Sequence, residues 1–250
     1  MTAIEAIVGF QTVPLESTLR SAVLISREWL TPGYVRVRLA GAELRGFTAP
    51  GADDHVRLFL APPGTPVPPA PEQWREFDSR EYTPVASDPD AGWVDFDVLV
   101  HDGGAGSGWA SSAPLGSVTA VGGPRRSNSV AGLPDALFLA GDETAIPAIT
   151  RFLRQRRPGT PARVLVEVSD VNRLVPVPVD AATDLTVLVR PEERLVGALA
   201  ALALEDRPAG SVLAFVAAEA SVVPVARALL QERWGMPAEA VIVKGYWRRD

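Results

Sequence analysis

The chain of 250 residues contains no cysteine. That absence excludes disulfides, thiolate nucleophiles, iron–sulfur ligation and cysteine-built zinc sites together. Histidine is nearly absent as well: only His55 and His101 occur, so a metal held by the protein would need mostly carboxylates. Neither an H-x-x-x-H spacing nor a calcium-loop pattern is present. No apolar run reaches the roughly 20 residues that span a bilayer. Met1 to Gln11 carries Glu5 without a basic flank, unlike a signal peptide. These features lead to the expectation of a cytoplasmic protein with no membrane partner. Lysine is represented by Lys244 alone, so arginine supplies nearly all the positive charge, and the formal net charge is -6. A chain of that charge, without a basic stripe to neutralise phosphates, is not expected to bind nucleic acid.

What is present is globular in composition, with 47% apolar and 22% charged residues. The length suffices for one large domain or two modest ones. The first half carries short β-branched segments at Ala22–Ile25, Val35–Leu39, His55–Leu60, Trp93–Val100 and Ser117–Val121. The fourth alternates most clearly, with Asp95 and Asp97 set between Val94, Phe96 and Val98. Several strands at this spacing predict a small antiparallel barrel. Ala61–Pro71 is rich in proline, which removes ladder donors, and reads as a loop.

The pattern changes near Gly122–Pro134, where Gly, Pro, Arg, Ser and Asn cluster, and the domain boundary is expected there. Beyond it, apolar strands at Ala136–Ala140, Ala162–Val168, Asp184–Val189, Val212–Ala217 and Ala240–Val243 alternate with helical patterns. The helices are expected at Ile146–Arg156, Glu192–Glu205 and Ser221–Trp234. That alternation predicts a parallel sheet covered on both sides. With neither a heptad series nor a disulfide interface, a monomer is expected.

Three stretches carry candidate chemistry. Arg80, Tyr82 and Thr83 form R-x-Y-T; in an extended segment Arg80 and Tyr82 share a face. An arginine there suits phosphate, and a tyrosine suits an aromatic ring. The same residues also fit a strand end with a surface arginine and a packed tyrosine. The segment from His101 through Gly103, Gly104, Ala105, Gly106, Ser107, Gly108 and Trp109 to Ala110 precedes a short helical pattern at Ser107–Ala113. Its glycines and helix start fit a pyrophosphate cradle, and equally a flexible turn with Trp109 packed behind it. Gly141 to Pro147 is a strand-to-helix turn in which Thr144 fits a cap and Asp142 and Glu143 fit a polar contact. Asp170 fits a ribose hydroxyl, while Arg173 and Arg190 fit the extra phosphate of NADPH; each is also ordinary surface chemistry. The tail places Tyr246 and Trp247 beside Lys244, Arg248 and Arg249, either to cover a ring system or simply to pack and solvate the chain end.

In their order along the chain, Arg80-Glu-Tyr-Thr83, His101 to Ala110, Gly122-Gly-Pro124, Gly141-Asp-Glu-Thr-Ala-Ile-Pro147, Leu165 to Asp170 and Gly245-Tyr-Trp-Arg248 resemble the siderophore-interacting or ferric-siderophore reductase family. That family lies within the ferredoxin–NADP reductase architecture. The motifs span residues 80–248, and the preceding strand pattern extends the resemblance over nearly the whole chain. It implies an N-terminal antiparallel FAD-binding β-barrel, residues 1–129. It also implies a C-terminal parallel-sheet, NAD(P)-binding-like α/β domain, residues 130–250. Flavin contacts are implied for Arg80, Tyr82, Thr83, His101 and the Gly103–Ala110 loop, with Tyr246 and Trp247 near the flavin region. Asp142 and Thr144 join them as cofactor contacts, and Lys244, Arg248 and Arg249 as contacts to an anionic substrate. The implied activity is FAD-dependent reduction of a ferric siderophore or another ferric chelate, releasing ferrous iron, with NADPH or NADH as donor. No catalytic side chain or protein-held metal is expected, because the flavin carries the chemistry. Other readings are a ferredoxin- or flavodoxin-driven ferric reductase, a flavin reductase for an organic acceptor, and a flavin-binding interaction protein without turnover. The chain departs from the family pattern at Pro84-Val85-Ala86, which lacks a further arginine, at Ala217-Ala218-Glu219-Ala220, which lacks a glycine, and at Asp250.

Overall fold

The computed structural model describes residues 8–68 and 70–248, so Arg249 and Asp250 lie outside the described residues. Two compact units are present: residues 13–127, and the described parts of residues 1–12 and 128–250. The chain runs through β1 (Gly9–Pro14), β2 (Leu19–Thr31), β3 (Tyr34–Ala40), β4 (Val56–Leu60), β5 (Ser79–Tyr82), β6 (Pro84–Asp88), β7 (Trp93–Leu99), α1 (Ala105–Ser112), β8 (Val118–Gly122) and β9 (Arg126–Ala131). β1 and β9 form a two-stranded ladder. The others build a curled seven-stranded antiparallel sheet in the order β5-β4-β8-β2-β3-β7-β6. Its two edge strands are consecutive in the chain, with only Thr83 between them.

The expected strands are present, and the segment expected at Ala22–Ile25 is the middle of a much longer one. β2 has 13 residues with register shifts at Leu24/Ser26 and Trp29/Thr31, and these bulges break the alternation that would reveal its length. Period-two alternation turns Leu24, Val35, Val37, Leu39, Leu58, Phe96 and Val121 into the curl, where they form one buried core. On the outer face Asp95 and Asp97 are nonetheless buried. Arg38 and Arg36 each make a two-pronged bond to them at 2.7 and 2.8 Å, and the Arg38 guanidinium lies 3.7 Å above the Trp93 ring. α1 closes the core with Trp109 and Ala110. Its C-terminal carbonyls at Ala110 and Ala113 accept hydrogen bonds from Arg27, a cation placed where the helix end is negative.

A second, smaller apolar cluster sits on the other face of the sheet. The proline-rich loop ends in a 3₁₀ turn, Pro71–Glu76, which inserts Trp74 against Phe59, Ala61 and Ala120. Trp74 is almost wholly buried and meets Phe77 edge-on at 5.7 Å.

The second unit contains β10 (Ala136–Asp142), α2 (Ile146–Gln155), β11 (Ala162–Val168), β12 (Thr183–Val189), α3 (Leu195–Ala201), β13 (Val212–Glu219), α4 (Val222–Arg227) and β14 (Val241–Trp247). α4 continues as a π-helical turn over Ala228–Arg233. All five strands are parallel, in the order β12-β11-β10-β13-β14. Leu139 and Phe215 are register partners, and Phe215 meets Phe152 of α2 at 4.9 Å; Phe138 points the other way, to Trp234, also at 4.9 Å. Both faces are therefore covered, as the apolar strands predict. The strand order reverses between β10 and β13, so the crevice characteristic of such sheets lies beyond their C-terminal ends.

Gly141 marks that point. A Cβ there would stand 2.5 Å from the Ala145 Cβ and 2.7 Å from the Ala217 carbonyl oxygen, so the turn closes onto β13 only around a glycine. Gly141→Ala is expected to lower stability by about 1–3 kcal/mol, measured by urea unfolding.

Candidate functional site

Arg80 and Tyr82 of the R-x-Y-T segment lie on β5, and Thr83 follows it directly. Arg80 and Tyr82 are register partners of Leu58 and Val56, two core residues, so both lie on the face toward α1. A Cβ on Gly106 would overlap the Tyr82 hydroxyl and come within 3.4 Å of the Arg80 Cγ, so the first turn of α1 approaches this strand as only a glycine allows. The Tyr82 ring meets Phe96 edge-on at 6.4 Å. Burial pushes its hydroxyl up to about 12 against the opposing pull of Arg80, so it is a protonated donor at neutral pH. Arg80 itself is exposed, donating to the Ser79 carbonyl at 2.8 Å. Thr83 is buried at the joint between β5 and β6.

The glycine-rich segment is bound to the start of α1 by side-chain-to-backbone hydrogen bonds. The Ser107 hydroxyl donates to the His101 carbonyl at 2.7 Å and accepts from the His101 N–H at 2.9 Å. Gly103 has φ 85°, and a Cβ on Gly104 would fall 2.7 Å from the His101 ring. The helix starts at Ala105, two residues earlier than its sequence pattern suggests, and its N-cap Gly104 offers no side-chain acceptor. Arg80 thus lies beside the first turn of α1, whose N-terminus has no side-chain cap. Trp109 and Ala110 belong to the core behind them.

The outer face of the same sheet holds a cleft of about 720 Å³. Gly122 and Leu19 floor it with Phe59; a Cβ on Gly122 would meet the Phe59 ring at 3.2 Å. Four arginines line it, Arg57, Arg75, Arg125 and Arg126, with His55 and a single glutamate, Glu81. Each has a reason to be there. Arg57 alternates with core residues of β4. Arg75 follows the buried Trp74. Arg125 and Arg126 are placed by Ser127, whose hydroxyl donates to Asp54 at 2.8 Å, and Asp54 also accepts from the Gly51 N–H at 2.9 Å. Sequence reasoning passed over these arginines, because they come from three separated segments; the one signal was Arg125-Arg126 directly after Gly122-Gly-Pro124.

In the second unit, Asp142 stands at the end of β10 and ties four segments. One oxygen accepts from the Thr144 N–H at 2.9 Å and its hydroxyl at 2.5 Å; the other accepts from the Glu219 N–H at 3.0 Å and the Trp247 indole at 2.7 Å. Burial pushes this carboxyl above the usual range, the Thr144 and Trp247 hydrogen bonds pull it down, and the neighbouring Glu143 charge adds to the rise. Glu143 receives Arg190 at 2.6 Å, and Arg190 also reaches Glu167 at 3.4 Å. Asp170 accepts from the Asn172 N–H at 2.8 Å. Lys244 and Tyr246 are half-buried on β14, and Arg248 is exposed at the end of the described chain. Arg249 lies outside the described residues.

A raised folded-state pKa makes the Asp142 contribution fullest at low pH and smaller as pH rises through that pKa; the Trp247 donor offsets the decline by stabilising the charged form. Trp247→Phe is expected to cost about 1.5–3 kcal/mol where Asp142 is ionised. The difference from the unmodified protein should shrink as pH falls, measured by urea midpoints across a pH series.

Two family models match: the siderophore-interacting FAD-binding domain over residues 24–128 and the siderophore-interacting protein over residues 134–250. An NADPH-dependent ferric-chelate reductase of Escherichia coli (strain K12) is 35% identical over 151 residues, which is 57% of this chain and 59% of that protein. The ferric vibriobactin reductase of Vibrio cholerae is 26% identical over 238 residues, 90% of this chain and 88% of that protein. A siderophore utilization protein from T. fusca superposes with a TM-score of 0.83 at 27% identity, covering 96% of each chain. The order of motifs, the curled sheet followed by a parallel one and the two adjoining family matches agree: the chain belongs to the siderophore-interacting protein family.

Proposed function

We propose that the chain is an FAD-containing oxidoreductase that reduces ferric chelates with electrons from NADPH or NADH, and that the arginine cleft receives the chelate. The observation that carries this reading is the charge of the cleft: four arginines against one glutamate, in a chain whose net charge is -6. An anionic ferric chelate finds there a local field opposite to that of the whole molecule, which favours encounter most at low salt. Phe59 and Leu19 give the floor an apolar surface for the organic part of the chelate. The activities named for the E. coli and V. cholerae relatives support the same substrate class.

In this reading residues 1–129 form the FAD-binding domain and residues 130–250 the NAD(P)-binding-like domain. Bound flavin supplies the exchange between two-electron donors and one-electron acceptors. Arg80 and the α1 N-terminus hold the pyrophosphate, Tyr82 flanks the ring, and Thr83 and the His101 loop fix their positions. The tail cations Lys244, Arg248 and Arg249 supply further positive charge suited to an anionic chelate. At the crevice between β10 and β13, Asp142, Thr144 and Arg190 make internal bonds, so they shape the edge of the donor site through the backbone they hold.

The test is anaerobic oxidation of NADPH, NADH or a reduced ferredoxin-type carrier by the FAD-loaded protein, with a ferrous-iron trap and a panel of ferric chelates. Ferrous iron with repeated turnover is expected. Flavin reduction that passes electrons to an organic acceptor but to no ferric chelate would overturn the reading. Arg125→Ala is expected to raise KM for an anionic ferric chelate about tenfold, roughly 1.4 kcal/mol, with the rate of flavin reduction by NADPH unchanged in stopped flow.

A further inference from the structure

Within the cleft one residue runs against the prevailing charge. Glu81 is the register partner of Arg57 across β5 and β4. Its Oε1 accepts from Arg57 Nη2 at 2.8 Å, and its Oε2 lies 3.9 Å from His55 Nε2. Both members of the Arg57–Glu81 pair are 52% exposed, and a pair so open to water adds little to stability. The carboxylate nonetheless occupies a guanidinium edge that an anionic chelate oxygen would use. Its neighbours on the same strand, Arg80 and Tyr82, point to the opposite face, so Glu81 belongs to the cleft alone.

We infer that Glu81 is the charge-selecting residue of this cleft: it holds Arg57 until a chelate displaces it, and it sets how strongly binding depends on the charge of the chelate. The inference rests on the proposed reading of the cleft as the chelate site. Its physical content is a difference between ligands. A neutral tris-hydroxamate complex has no net charge for Glu81 to repel. A trianionic tris-catecholate complex meets the full repulsion and must also compete for Arg57. Removing the charge while keeping the shape, by Glu81→Gln, relieves both effects for the second ligand and neither for the first. Glu81→Asp keeps the charge but shortens the reach to Arg57, so it separates repulsion from competition.

The experiment measures equilibrium binding of redox-inert gallium complexes of the two ligand classes to the FAD-loaded protein, by calorimetry at low and at high salt, for the unmodified chain, Glu81→Gln, Glu81→Asp and Arg125→Ala. Expected is a gain of about tenfold for the trianionic complex in Glu81→Gln, less than about twofold for the neutral one, and a smaller difference at high salt. Glu81→Asp should show a smaller gain for the trianionic complex than Glu81→Gln, because it relieves the competition and keeps the repulsion. Equal gains for both complexes, or no gain for either, would overturn the inference while Arg125→Ala still weakens binding of the trianionic complex. If Arg125→Ala binds both complexes as well as the unmodified chain does, the cleft is not the chelate site, and the reading beneath the inference falls with it.

Discussion

Side chains on a strand alternate between two faces, and in β5 that alternation is the constraint on which the first unit depends. Four residues, Ser79 to Tyr82, serve two surfaces. Arg80 and Tyr82 turn toward α1 and the glycine-rich segment, while Ser79 and Glu81 turn into the arginine cleft. Because the period is two, neither set can be moved without the other. The R-x-Y-T pattern is therefore a statement about both faces, and its unspecified second position is where the cleft obtains its counter-charge.

The remaining parts hold that strand between its neighbours. β4 pairs with it over Val56 to Phe59, bringing Arg57 opposite Glu81. α1 approaches through Gly106 and is held at its far end by Arg27, which leaves the N-terminal amides directed away from that anchor. In the second unit the equivalent task falls to Asp142. One buried carboxylate collects donors from the following turn, from β13 and from the indole of β14, and so fixes three strand ends at the crevice. The two units solve the same problem, placing loops at a ligand edge, by opposite means: a close approach of backbone in one, a hub of hydrogen bonds in the other.

The architecture was legible because apolar alternation and apolar runs mark their own period. β7 with its Asp95 and Asp97, and the all-apolar Ala162–Val168, lie where the pattern puts them. β5 and β6 were not visible as strands, since each is short and part-polar. The helix expected over Glu192–Glu205 is confined to Leu195–Ala201. Its N-terminal turn is replaced by a backbone N–H, that of Leu195, donating to the buried Glu167, a contact 28 residues away that no local pattern announces. The glycine-rich segment and R-x-Y-T were found as motifs; that they meet at Gly106 was not readable, because the meeting depends on the curl of the sheet. The arginine cleft was missed for the same reason, being assembled from Arg57, Arg75 and Arg125-Arg126 only after folding.

Trp74 has a consequence for how this chain tolerates insertion and deletion. Seated against Phe59 and Ala120, it fixes the phase of everything that follows it. Four residues, Arg75 to Asp78, lead from that seat to β5, and adding or removing one of them would present β5 with its faces exchanged, Glu81 toward the core and Arg80 toward the cleft. Upstream of the seat the proline-rich loop carries no such phase. Its length is free to drift, since each doubling of a flexible loop costs only about 0.6 kcal/mol. Length variation on this side of the protein should therefore gather before Trp74 and stop at it.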